Sequence, residues 1–128
     1  MPRRIERLNE QLKRELAIHI RGGLRDPRIQ GVAVTAVRTT PDLNLARVLV
    51  RLEGTDAEKR QTLDGLDRAA PFLRRMLGRE LRIRRVPELD FREDVSQQRA
   101  DRIEELLSEV RPEGGWSEEE PGDDGLES

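Results

Sequence analysis

Between positions 74 and 85 the chain carries six arginines, Arg74, Arg75, Arg79, Arg82, Arg84 and Arg85, within twelve residues. Guanidinium groups grip phosphate oxygens bidentately and stack on bases, so their chemistry is the holding of polyanions rather than the making of bonds. Just upstream, Pro71 interrupts an apolar repeat of helical period. An interior proline loses a backbone hydrogen bond and meets the carbonyl four residues back, at roughly 3 kcal/mol. A bend there lets the next turn leave at a new angle and offer its amides and side chains to an anion. Arg74 and Arg75 fall in the first turn after Pro71, Arg79 one turn further, and Arg82, Arg84 and Arg85 just beyond. They cannot all share one helix face, but they can line one end of a domain. The bland alternative is that the proline only fits the helix to a curved sheet while the arginines pair with Glu80, Glu88 and Asp90.

Catalytic chemistry finds little footing. His19 is the only histidine and there is no cysteine, so neither a histidine-based metal site nor an activated nucleophile has its partners. Asp26, Asp90 and Asp94 are the carboxylates that a magnesium-dependent nuclease would need, but they fall in separate loop or strand contexts without a motif. The expectation is a protein that is not an enzyme, with no metal, no cofactor and no small-molecule substrate.

Composition sets the frame for whatever positions the arginines. The 128 residues are 34% hydrophobic and 39% charged, with no Tyr, two Phe and one Trp, which suffices for one small core of Leu, Val, Ile and Ala. The scarcity of aromatic rings argues against recognition by ring stacking and for contacts to backbone and shape. Net charge is −2, but it is unevenly spread. Residues 1–92 hold 21 Lys and Arg against 13 Asp and Glu, a net +8, while residues 93–128 hold 3 against 13, a net −10. A basic body points to a polyanionic partner. No apolar stretch reads as a signal peptide or a membrane span, so a cytoplasmic protein without membrane attachment is expected.

Hydrophobic spacing supplies the elements. Ile5, Leu8, Leu12, Leu16 and Ile20 recur at steps of three and four, predicting an amphipathic helix over 3–21 that Gly22 and Gly23 stop. VAVTAVRTT and LARVLVRLE alternate around the turn sequence PDLN and read as a hairpin. In its second strand Ala46, Val48, Val50 and Leu52 should face inward, with Arg47 and Arg51 on the solvated side. Thr55 and Glu58 form a capping-box pattern that opens the central helix, whose apolar residues Leu63, Leu66, Ala70, Leu73 and Leu77 step across Pro71. Gly78 offers a left-handed end. Leu81 and Ile83, then ELDF after Pro87, suggest a third strand confined to an edge or bulged by its proline. Asp94 or Ser96 can cap a last helix with the stripe Ile103, Leu106, Leu107 and Val110. The reading is α+β: a two-layer domain over residues 1–110, a three-stranded sheet with helices on one face and a kinked central helix, followed by a disordered acidic tail at 111–128.

These segments together resemble the ribosome-binding factor A family. The resemblance rests on RRIERLNEQLKREL, LRDPRIQGVAVTAV, TPDLNLARVLV and LDRAAPFLRRMLGRELRIRRVPELDFREDVS, in that order and spacing, over about residues 3–110. It implies a type II KH-like fold, of order helix, strand, strand, helix, helix, strand, with the adjacent helices meeting where Pro71 lies. It also implies that the backbone-clamping GXXG loop of KH domains is replaced by an Ala-x-Gly kink. Here that stretch is Ala69, Ala70 and Pro71, so proline stands where the family's glycine is expected and the bend is kept by different chemistry.

The resemblance further implies a bacterial cold-adaptation and ribosome maturation factor that binds the small (30S) subunit during late assembly and contacts 16S ribosomal RNA. Carried onto this sequence, the RNA-binding positions are Arg74, Arg75, Arg79, Arg82, Arg84 and Arg85, with Arg3, Arg4 and Arg7 on the first helix. A monomer is expected. The rival reading is a small protein-interaction module whose arginines serve acidic protein surfaces.

Overall fold

The computed structural model describes residues 2–23, 27–29 and 32–110. Residues 24–26, which include Asp26, and the expected acidic tail at 111–128 lie outside the described residues. The chain divides into two compact units, 1–94 and 95–128. In chain order the elements are helix α1 (Pro2–Gly23), a 3-10 turn (Pro27–Ile29), strands β1 (Ala33–Thr39) and β2 (Leu45–Arg51), helix α2 (Asp56–Leu81), strand β3 (Glu88–Glu93) and helix α3 (Ser96–Val110).

The first unit is a three-stranded sheet of order β1-β2-β3 with α1 and α2 packed on it. β1 and β2 pair antiparallel, with a register shift between Val34 and Ala36. β3 runs parallel to β2 at the other edge, Val48 opposite Phe91. The alternation predicted for β2 holds: Ala46, Val48, Val50 and Leu52 are buried, while Arg47 and Arg51 are exposed. Against that inner face lie Leu12, Leu16 and Ile20 of α1 and Leu66, Leu73 and Leu77 of α2, joined by Ile29, Val37 and Phe91. One contiguous core results, aliphatic except for Phe91, and it holds both helices against the sheet.

α2 starts where its sequence says it should. Thr55 Oγ1 accepts from Glu58 N at 3.1 Å and Glu58 Oε1 accepts from Thr55 N at 2.8 Å, a complete capping box. Gly54 before it has φ +105, and a Cβ there would fall 2.4 Å from Glu58 Oε1. Gly54→Ala is therefore expected to expel the Glu58 carboxylate and strain the backbone, lowering stability by about 1–2 kcal/mol in urea unfolding, more than Thr55→Ala at about 1 kcal/mol.

Three expectations for the segment after Thr55 are corrected. The resemblance implied two helices meeting at Pro71, but Asp56–Leu81 is a single helix with Pro71 inside it. The proline is on the exposed side while Leu66, Leu73 and Leu77 are fully buried. The lost hydrogen bond thus falls on the solvent face and the packed stripe passes it intact. Gly78 does not end the helix; the left-handed cap is Arg82, with φ 53 and ψ 36. Leu81 and Ile83 are not strand. Leu73, Leu77 and Leu81 continue at steps of four, so the helical period wins over a short alternation. Ile83 belongs to the connection, and β3 begins only at Glu88, directly after Pro87.

In the second unit, α3 carries the predicted stripe of Ile103, Leu106, Leu107 and Val110 on one side. Gln97 Nε2 donates to Asp101 Oδ1 at 3.1 Å and Arg102 pairs with Glu105 at 3.3 Å along the helix.

Candidate nucleic-acid interface

Three segments distant in sequence meet at one end of the first unit and enclose a cleft of about 570 Å³. Arg4, Ile5, Arg7, Leu8 and Gln11 line it from the first turns of α1. Pro41, Asp42 and Leu43 come from the β1–β2 turn, and Ile83, Arg84, Arg85 and Pro87 from the α2–β3 connection. Its floor is aliphatic and its rim carries four guanidinium groups.

Each wall is pinned by specific bonds. Asn9 Oδ1 accepts from Thr39 N at 3.0 Å and from Thr39 Oγ1 at 2.6 Å, tying α1 to the end of β1. In the turn, Leu43 N donates to Thr40 O and Thr40 N to Leu45 O, both at 2.8 Å. Glu88 N donates to Asn44 O at 2.9 Å and joins the turn to the start of β3. The connection is held on α2 by Arg74, whose Nε donates to Pro87 O at 3.1 Å and Nη2 to Val86 O at 2.7 Å. It lies close against the helix: a Cβ on Gly78 would stand 3.3 Å from Val86 Cγ2.

Among the described residues of the rim the one carboxylate, Asp42, is occupied. Asp42 Oδ1 accepts from Thr40 Oγ1 at 2.7 Å and Asn44 N at 3.0 Å, and Oδ2 from Asn44 Nδ2 at 3.1 Å. These bonds, the Thr40 hydroxyl first, hold its pKa below the ordinary carboxylate value. The arginines around the cleft stay unneutralised: among the described residues Arg4, Arg7, Arg84 and Arg85 have no carboxylate partner, and none of the six clustered arginines pairs with Glu80, Glu88 or Asp90. Asp90 is taken by Arg47 Nε and Arg92 Nε, each at 3.2 Å.

The predicted positions therefore separate. Arg4, Arg7, Arg84 and Arg85 converge on the cleft. Arg74 does not line the cleft; its guanidinium is turned onto two carbonyls and braces the connection. Arg3, Arg75, Arg79 and Arg82 are exposed and do not line the cleft. Ala69 and Ala70 are half-buried and Pro71 exposed within α2, also away from it. Sequence reasoning missed Gln11, Pro41, Asp42 and Leu43. The signal available was the turn chemistry of TPDLN, which announces a loop without saying what it faces.

Arg82 has a second role as the helix cap. A side chain in the left-handed region costs roughly 1–2 kcal/mol, partly offset by the greater freedom glycine has when unfolded. Arg82→Gly is expected to raise stability by about 0.5–1 kcal/mol, read as a shift of the urea midpoint at unchanged slope.

Of the groups that catalysis would call on, Asp26 lies outside the described residues, and the others are engaged in separate local contacts. Asp90 is held as above, Asp94 Oδ2 accepts from Thr35 Oγ1 at 2.5 Å, and His19 Nε2 lies 3.8 Å from Glu15 Oε1 on α1. Among the described residues no group of three or more His, Asp or Glu is placed to hold a metal, and no helix is long and apolar enough to cross a membrane.

Residues 4–107 match the family described as Ribosome-binding factor A. A protein of that name from Gemmatimonas aurantiaca is 47% identical over 112 residues, 87% of this chain and 77% of that one. Another from Brevibacillus brevis is 37% identical over 91% of this chain and 96% of that one. Among solved structures, ribosome-binding factor A from Thermus thermophilus is 36% identical with a TM-score of 0.63, covering 70% of this chain and 93% of that one. A homology model of Thermus thermophilus ribosome-binding factor A, fitted into the cryo-EM map of a complex with the 30S subunit, is 34% identical, with a TM-score of 0.58 over the same shares. These neighbours have a KH-like fold, as does the sheet-and-helix unit here.

Proposed function

The chain belongs to the ribosome-binding factor A family, and from that premise we propose that it binds the small ribosomal subunit through 16S ribosomal RNA, using the arginine-rimmed cleft. The observation that carries the reading is the convergence of Arg4, Arg7, Arg84 and Arg85, unneutralised among the described residues, from two segments almost eighty positions apart. Four exposed guanidinium groups without a carboxylate partner, grouped at one end of the unit, suit the phosphate oxygens of RNA.

The action is mechanical, with no bond made or broken. The protein occupies RNA of a late, immature 30S particle in the cytoplasm, near the decoding region, holds it while processing and folding finish, and then leaves. Arg75, Arg79, Arg82 and Arg3 extend the basic end beyond the cleft, and a bend of α2 at Ala69, Ala70 and Pro71 sets its angle. The acidic segment after residue 110 serves to keep the chain soluble.

Co-sedimentation with purified 30S subunits across a salt series tests this. If the four cleft arginines displace counterions, log affinity falls against log salt with a slope of roughly −3, and protein-free 16S ribosomal RNA competes for the protein. Absence of co-sedimentation refutes the function. Binding that protein-free RNA cannot compete away favours an acidic protein surface as the contact.

A further inference from the structure

We propose that the cleft receives the base of one unpaired nucleotide, with Arg84 and Arg85 on the adjoining phosphate. This rests on the RNA-binding reading above and adds to it the kind of nucleotide selected. A surface meant only for a phosphate chain would be a basic ridge. Here the cations instead surround a recess of about 570 Å³ floored by Ile5, Leu8, Leu43 and Ile83, the size and lining of a small-ligand pocket. A base in a duplex is stacked and paired, so only an unpaired one can enter.

Two further features fit a base. The Gln11 side chain is half-buried in the wall and has no hydrogen-bond partner among the described residues. Its carboxamide offers one donor and one acceptor side by side, the complement of a base edge. Leu43 is held at φ 64, a left-handed backbone that a branched bulky residue adopts at an energetic cost. Glycine would satisfy the turn without strain, yet this position puts an aliphatic side chain into the recess, as strained residues at binding sites commonly do. With no aromatic ring among the described residues of the lining, the base is gripped by aliphatic contact and by guanidinium planes rather than by ring stacking.

The test uses the full-length protein and two RNA hairpins identical except for a single bulged adenosine. The unmutated protein is expected to bind the bulged hairpin roughly tenfold more tightly, about what removing part of one base from water against aliphatic side chains contributes. Leu43→Gly, which removes the side chain from the floor and frees the turn, should reduce that preference to within about twofold, whatever its effect on overall affinity. Gln11→Leu should lose discrimination between bulged adenosine and bulged uridine, read as the ratio of the two affinities. Equal binding of both hairpins by the unmutated protein, with a normal salt slope, overturns the proposal and leaves the RNA-binding reading standing. So does a preference that survives Leu43→Gly, or a Gln11→Leu protein that still tells the two bases apart. Binding to neither hairpin, with no binding to 30S subunits, brings down both.

Discussion

Reversing charge at Arg84 and Arg85 together is expected to weaken binding to 30S subunits by about a hundredfold at physiological salt, equivalent to ~3 kcal/mol. Both side chains are exposed on the α2–β3 connection, line the cleft and have no ion pair among the described residues. The Arg84→Glu/Arg85→Glu protein should therefore keep its circular dichroism spectrum and its melting temperature. The salt slope should flatten by roughly 1.5, about one phosphate for each arginine lost. The same reversal at Arg47 and Arg51 gives the contrast: these lie on the open side of β2, and Arg47 is already paired with Asp90. That control is expected to change affinity by less than about threefold, since only long-range attraction is altered. Equal losses in the two doubles would mean that net charge, and not the cleft, governs binding.

Arg74→Met should reduce stability by about 2–3 kcal/mol, the larger of the stability effects considered. Two charge-assisted bonds hold the 82–87 connection to α2, and their loss leaves the Val86 and Pro87 carbonyls without that donor beside the buried Pro87 ring. Methionine retains the aliphatic packing, so the deficit reports the guanidinium. Arg74→Lys recovers less than half, because a single ammonium cannot reach two carbonyls in the geometry of a planar fork. Exchange of the Glu88 amide, which bonds Asn44 O, should quicken in both variants as the wall loosens. Affinity for 30S subunits should fall about tenfold in Arg74→Met even below its melting range, because Arg84 and Arg85 are then no longer held in place. A fully stable Arg74→Met protein with weakened binding would instead make Arg74 a direct contact.

Local spacing carried a great deal. The inward set Ala46, Val48, Val50 and Leu52, the capping box at Thr55 and Glu58, and the faces of α1 and α2 follow from side-chain period and from hydrogen-bonding groups within four residues of each other. Such features need no partner elsewhere in the chain. The arginine-rich stretch was legible as chemistry for the same reason: residue type and density are local quantities.

What could not be read was assembly. Pro71 looks in sequence like a break, but whether a proline divides a helix depends on which side of it is buried, and the core decided that by burying Leu66, Leu73 and Leu77 while leaving Pro71 outside. Arg74 and Arg84 are alike in composition; one became a brace and the other a cleft wall because the connection folds back against Gly78. By itself, then, the sequence determined the elements, the hydrophobic faces and a basic, phosphate-seeking character, all set by interactions along a few residues. Only the tertiary structure decided that Arg4 and Arg7 meet Arg84 and Arg85 around Leu43, because that meeting depends on the sheet order and on the two helix ends the shared core brings to one edge.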